Sequence, residues 1–211
     1  MHFQLHNLNQ ATFPLLPDSC ARCGWWQGYD QGWSKKQAQE WNQAAEERFG
    51  RWGKLGVADG KLLGMIQFAP APLFFRKLPC GPAARDSVLL SCSLLEEASP
   101  DSLRKSLLLA LLAELRDDDI DSVEAFCHLN RLPGDCRFFK QDFLRDCGFY
   151  PVRSLGVLQL MRLELGGLTP VKKIARTRRR HILERIKRPA PAPVAFCSRR
   201  HLPLACNTTS V

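Results

Sequence analysis

Residues 87–127 hold the pattern that most restricts how this chain can fold. Residues 87–95 are strongly apolar and suit a strand. Ser99-Pro100 then marks a helix start, a capping hydroxyl followed by proline at the first helical position. Residues 101–115 form a leucine-rich helix, much of it expected to be buried. Asp117-Asp118-Asp119 closes it with charges that oppose the helix dipole. Residues 120–127 read as a second strand. A strand, a helix and a strand in succession imply an α/β sheet with helices packed on it.

The flanking segments agree with a sheet. Residues 54–58 and 61–68 are joined by Asp59-Gly60, the dipeptide suited to a two-residue turn with positive φ. Pro70, Pro72 and Pro79 force a long irregular connection after that hairpin. Ser34 is a helix N-cap for residues 35–49, where Ala38, Trp41, Ala45 and Phe49 fall on one face, and Gly50 and Gly53 end the helix. Residues 138–146 read as a short helix stopped at Gly148, and residues 152–165 as one or two closing strands interrupted near Gly156. Residues 1–19 read as an irregular lead-in. No internal repeat is visible.

Charge divides the chain. Of 30 basic and 21 acidic residues, eleven and one lie beyond residue 170, leaving 19 and 20 in the body. The body is thus neutral, which excludes a nucleic-acid binder with a basic surface throughout. The excess lies in a tail that opens at Gly166-Gly167 and carries Lys172, Lys173, Arg176, Arg178, Arg179 and Arg180. Val171, Ile174, Arg178, Ile182 and Ile186 give it a narrow stripe at helical spacing, apolar but for Arg178, and Pro189, Pro191 and Pro193 give it a stiff linker. Two readings stay open: a polyanion contact through those six basic residues, or a solvated appendage separable from the body. No run of about 18 apolar residues occurs, so no membrane-spanning helix is expected. The first 20 residues lack a basic start followed by an apolar stretch, so a cytoplasmic protein is expected. Nine cysteines without an export signal are expected to be mostly buried thiols.

The order of these elements resembles the GNAT (GCN5-related N-acetyltransferase) family. Three stretches carry the likeness: the hairpin at residues 55–68 with its Ala-Pro loop, the strand–helix–strand unit at 87–127, and Phe139-Lys-Gln-Asp-Phe-Leu-Arg-Asp-Cys-Gly-Phe149, similar to the family's penultimate helix with its terminal Gly-Phe. Cys20-x-x-Cys23-x-Trp-Trp is similar to a bacterial subgroup of these proteins. The resemblance implies a mixed, splayed central sheet flanked by helices over residues 1–165, with 166–211 as a basic C-terminal extension. It implies an N-acyltransferase moving an acetyl group from acetyl-CoA to a small-molecule or peptide amine. The alternative is a GNAT-fold protein that has lost CoA chemistry and acts as a binding module.

By the same resemblance the pantetheine would pair with the fourth strand at Cys92, Ser93 and Leu94. The pyrophosphate would sit on the next helix start, at Ser102, Leu103, Arg104 and Lys105, where free amides and the helix dipole favour phosphate. Asn130 would complete the cofactor site. Glu96 and Glu97, at the strand's end, are the candidate general bases. The sequence departs from the family twice. Residues 97–105 contain no glycine, and Pro100 brings no amide donor. Leu144 stands where many members have a tyrosine that protonates the leaving thiolate, which leucine cannot do.

Other groups have weaker patterns. Cys127 and His128 could act as nucleophile and acid or base, but neighbours on a strand point to opposite faces, which favours a buried Cys and a loop His. Cys20-x-x-Cys23 has metal-ligand spacing without a second CxxC, so no metal is expected, with zinc at this pair as the alternative. Trp25, Trp26 and Trp33 could floor a substrate pocket or anchor the N-terminal segment on the sheet.

Overall fold

Asp59 and Gly60 both adopt positive φ, 49° and 71°, and turn β2 (Gly53–Ala58) back on β3 (Lys61–Pro70) as an antiparallel pair. The computed structural model describes residues 2–97, 99–100, 102–130 and 134–166. The basic tail and its Pro-Ala run lie outside these residues. β3 pairs antiparallel with β4 (Val88–Leu95), which runs parallel to β5 (Ser122–His128) through the crossover helix α3 (Ser102–Asp117). β6 (Tyr150–Leu155) and β7 (Leu158–Glu164) close the chain, with Gly156 at φ 58° in the turn between them. The seven strands lie in the order β1-β2-β3-β4-β5-β7-β6. Among the described residues, no helix is long and apolar enough to cross a membrane.

Two expectations are corrected. The lead-in is not wholly irregular: Gln4–Leu8 forms β1, pairing antiparallel with β2. The last helix, α4 (Gln141–Asp146), is shorter than residues 138–146. Phe138 and Phe139 precede it outside the helix, because the Phe139 amide donates to the Phe126 carbonyl at 3.1 Å.

The sheet is covered on both faces. Leu103, Leu107, Leu108, Leu111 and Leu115 of α3 are fully buried with Leu144 of α4, against Phe68, Leu90, Ala125 and Met161. Gly56 lets α3 come this close: a Cβ there would stand 2.5 Å from Leu103 Cδ1. Charge also ties the helix to β2 and the residues before it: Glu114 forms an ion pair with Arg51 at 2.9 Å and accepts from Lys54 of β2. The other face carries α2 (Lys35–Phe49), whose Trp41 and Ala45 pack with Leu55, Met65 and Leu89. Ser34 and Gln37 form a reciprocal capping box at its start, and Gly50, at φ 68°, ends it.

The segment between the short helix α1 (Asp18–Ala21) and α2 lies on the α2 face. Trp26 is buried there, stacked on Phe126 of β5 with centroids 5.7 Å apart and edge-on to Phe138. Trp25 lies beneath two guanidiniums, those of Arg76 at 4.5 Å and Arg137 at 5.1 Å. Trp25 and Trp26 therefore anchor the N-terminal segment.

Candidate active site

A single extra residue opens the sheet. Gln67 pairs with Cys92 and Phe68 with Leu90, so Ser91 has no opposite number on β3. This bulge bends β4 and reverses which face its side chains meet. Leu90 lies in the α3 core, and Cys92 two residues on lies in the α2 core. Parallel pairing with β5 stops at the same point, covering only Val88–Val123, Leu89–Glu124 and Leu90–Ala125. Beyond it the two strands diverge.

The gap is not empty of chain. Residues 136–139 run along it. The Ser93 amide donates to the Cys136 carbonyl at 2.8 Å, and the His128 amide to the Phe139 carbonyl at 3.3 Å. Cys136 thus bonds the β4 side while Phe139 forms a parallel bridge with Cys127 on the β5 side.

The turn from β4 into α3 is pinned to β3. Leu63 offers its carbonyl to the Glu96 amide at 2.8 Å and to the Ser99 hydroxyl. The hydroxyl expected to cap the helix is used here instead. The Ser99 amide donates to the Glu96 carbonyl at 3.0 Å and the Leu103 amide to the Pro100 carbonyl at 2.9 Å. Three amides around the expected pyrophosphate position thus already have acceptors. Ser102 and Lys105 are exposed at the helix start, and the Arg104 guanidinium lies 5.8 Å from the Phe143 ring centre of α4. Leu103 is buried, so its side chain faces the core.

Glu96 and Glu97 are exposed beyond the end of β4, at the mouth of the splay. Asn130 is exposed after β5, its amide donating to His128 Nδ1 at 3.1 Å. Cys127 is buried against α3, with Sγ 3.9 Å from Gln159 Oε1, and burial pushes its thiol up to about 11. His128 is half-exposed and faces Phe138. The two side chains do not form a pair.

A cavity of about 20 Å³ lies on the α2 side of β3 and β4, lined among others by Trp33, Asn42, Gln67, Cys20, Cys23, Cys92 and Cys136. It has room for about one water molecule, for which some 10–15 Å³ suffices. Of the three tryptophans read as a pocket floor, only Trp33 lines it. The Cys20 thiol is pushed up to about 11, first by burial, then by Cys136 and Cys23, and slightly by Glu96.

No protein-family model matches the sequence, and no curated protein does. Solved structures do match. An N-acetyltransferase from Staphylococcus aureus Mu50 is 13% identical, covering 78% of this chain and 99% of its own, with a TM-score of 0.53. A ribosomal-protein-alanine N-acetyltransferase from Brucella melitensis is 16% identical over 76% and 99%, with a TM-score of 0.52. The GNAT domain of S. lividans PAT is 13% identical over 77% and 90%, with a TM-score of 0.50. The fold is that of the GNAT N-acetyltransferases.

Within this GNAT fold, Leu144 is fully buried on α4 and serves packing. Two structural features were missed from sequence. One is the chain that fills the splay. The other is Glu124 on β5, 2% exposed, which accepts from the Ala84 amide at 2.7 Å and Arg162 at 3.1 Å. A lone acid inside an apolar strand was its only signal. Among the described residues no group of three or more His, Cys, Asp or Glu is placed to hold a metal ion. The geometry therefore gives zinc at Cys20 and Cys23 no support.

Proposed function

We propose that the protein is an N-acyltransferase that takes acetyl from acetyl-CoA and gives it to an amine, on a small molecule or a peptide. The observation that carries this reading is the splay opened by the Ser91 bulge, with α3 starting directly behind it. Cys92, Ser93 and Leu94 are the backbone against which pantetheine would pair. Pairing at Ser93 requires the Cys136 carbonyl to move off its amide. With neighbouring amides already used, the pyrophosphate depends on Ser102, on the helix dipole and on the side chains of Arg104 and Lys105. Asn130 would close the site from β5.

In the reaction the amine nitrogen attacks the thioester carbon, the carbonyl re-forms, and CoA leaves as thiolate. Glu96 or Glu97 takes the amine proton, directly or through a water. The leaving thiolate takes its proton from a group other than residue 144.

Calorimetric titration with acetyl-CoA tests the reading. Saturable binding in the micromolar range is expected. No binding at millimolar cofactor would overturn it in favour of a binding module without CoA chemistry. The double change Arg104→Ala, Lys105→Ala is expected to weaken binding at least tenfold, about 1.4 kcal/mol. Unchanged affinity would place the phosphates elsewhere.

A further inference from the structure

The fold brings four cysteines from three separate stretches of chain to one cavity: Cys20 and Cys23, Cys92 on β4, and Cys136 in the chain that fills the splay. None is in a disulfide. Two of them are closely matched. The Ser93 amide holds the Cys136 carbonyl at 2.8 Å, which fixes Cys136 beside β4 at the level of Cys92. Both residues line the same cavity. Their exposures differ: Cys92 is buried, while Cys136 is half-exposed.

We propose that Cys92 and Cys136 are an oxidisable dithiol, with Cys136 as the sulfur that peroxide attacks and Cys92 as the one that resolves it. This goes beyond the acyl-transfer reading and does not depend on it. Exposure divides the two roles, since the half-exposed Cys136 can be reached from solvent and the buried Cys92 cannot, and the shifts of the two thiols run the same way. The Cys136 thiol is lowered to about 7, chiefly by its neighbour Cys92, against the opposing effect of burial. Cys92 is raised well above an ordinary thiol, first by Cys136 and then by burial, so it keeps its proton. A thiolate is the nucleophile toward peroxide, and a protonated neighbour is poised to condense with the sulfenic acid.

The chemistry balances with hydrogen peroxide as the oxidant. The Cys136 thiolate attacks one peroxide oxygen, an S–O bond forms, the O–O bond breaks, and hydroxide leaves and is protonated to water. The Cys92 sulfur then attacks the Cys136 sulfur, an S–S bond forms and the S–O bond breaks. The departing oxygen takes the Cys92 proton and leaves as a second water. Two thiols lose two electrons and the peroxide gains them. A small-molecule thiol reverses the change by exchange.

The test uses the reduced full-length protein, treated with one equivalent of hydrogen peroxide and mapped by mass spectrometry without reductant. A Cys92–Cys136 cross-linked peptide is expected as the main product, 2 Da lighter than the two thiol peptides. Cys92→Ser should instead leave Cys136 as a sulfenic acid that a cyclic dione traps. Cys136→Ser should slow peroxide consumption at least tenfold and yield no sulfenic acid at Cys92. Competitive alkylation of the unmodified protein, which needs no variant, should label Cys136 ahead of Cys147. Main-product cross-linking of Cys20 with Cys23, Cys136 labelled no faster than Cys147, or one firmly bound metal per chain would each overturn the proposal.

Discussion

Replacing Trp26 with alanine is expected to cost about 3–5 kcal/mol, the range for emptying a large aromatic site in a core. Trp26 is 2% exposed and contacts four rings: Trp25, Phe74, Phe126 and Phe138. Its side chain joins the N-terminal segment to β5 through Phe126 and to the chain in the splay through Phe138. Thermal midpoints move by about 2–4 °C per kcal/mol in proteins of this size, so the melt should fall by roughly 10 °C. The indole Nε1 has no partner among the described residues. Trp26→Phe therefore removes a buried unsatisfied donor with the extra ring, and should retain most of the stability. A loss under about 1 kcal/mol in the alanine variant, read by urea denaturation, would show that the segment is held elsewhere.

The second large effect is expected at Glu124. Its carboxylate is buried on β5 between the Ala84 amide and the Arg162 guanidinium, at 2.7 and 3.1 Å. Glu124→Ala orphans a backbone donor and strips a half-buried cation of one partner. Removing one member of a buried pair typically costs about 3–5 kcal/mol. The lower end is expected here, because Arg162 keeps Glu164 at 2.6 Å. Glu164 first, and Glu124 after it, hold the Arg162 guanidinium more firmly charged than usual. Because Glu124 also anchors the loop through Ala84, limited proteolysis of the variant should cut first between β3 and β4. A variant as stable and as resistant as the parent would show that this loop is held by its other contacts alone.

The elements that carry most apolar surface were legible in the sequence. The hairpin turn was visible because Asp59-Gly60 has few other uses, and α3 because its leucines recur on one face. β1 was not visible, because four of its five residues are not buried and only Leu8 shows an inward position. Its pairing with β2 is a tertiary fact. The Ser91 bulge left no local mark either, since a serine in an apolar run reads the same whether it is paired or extra. Phe138 and Phe139 resembled a helix start, but the Phe139 backbone bonds Phe126 and His128 across the sheet. At the site, the missing glycines and Leu144 were plain from the sequence. The occupied amides at 96, 99 and 103 were not, because their acceptors are a matter of how the turn folds back. CxxC spacing showed two cysteines, but only the bulge and the loop bring Cys92 to Cys136.

β6 is one of the two edge strands, exposed along its whole length, with Tyr150, Val152 and Leu155 open to solvent. A bare apolar edge is the usual template for fibril growth. Here Pro151 offers no amide, and the register slips between Pro151 and Arg153. The Arg153 guanidinium folds back onto the carbonyls of Gly81 and Pro82. A second chain laid along β6 meets a missing donor, a broken repeat and a fixed positive charge, so this edge resists seeding an aggregate.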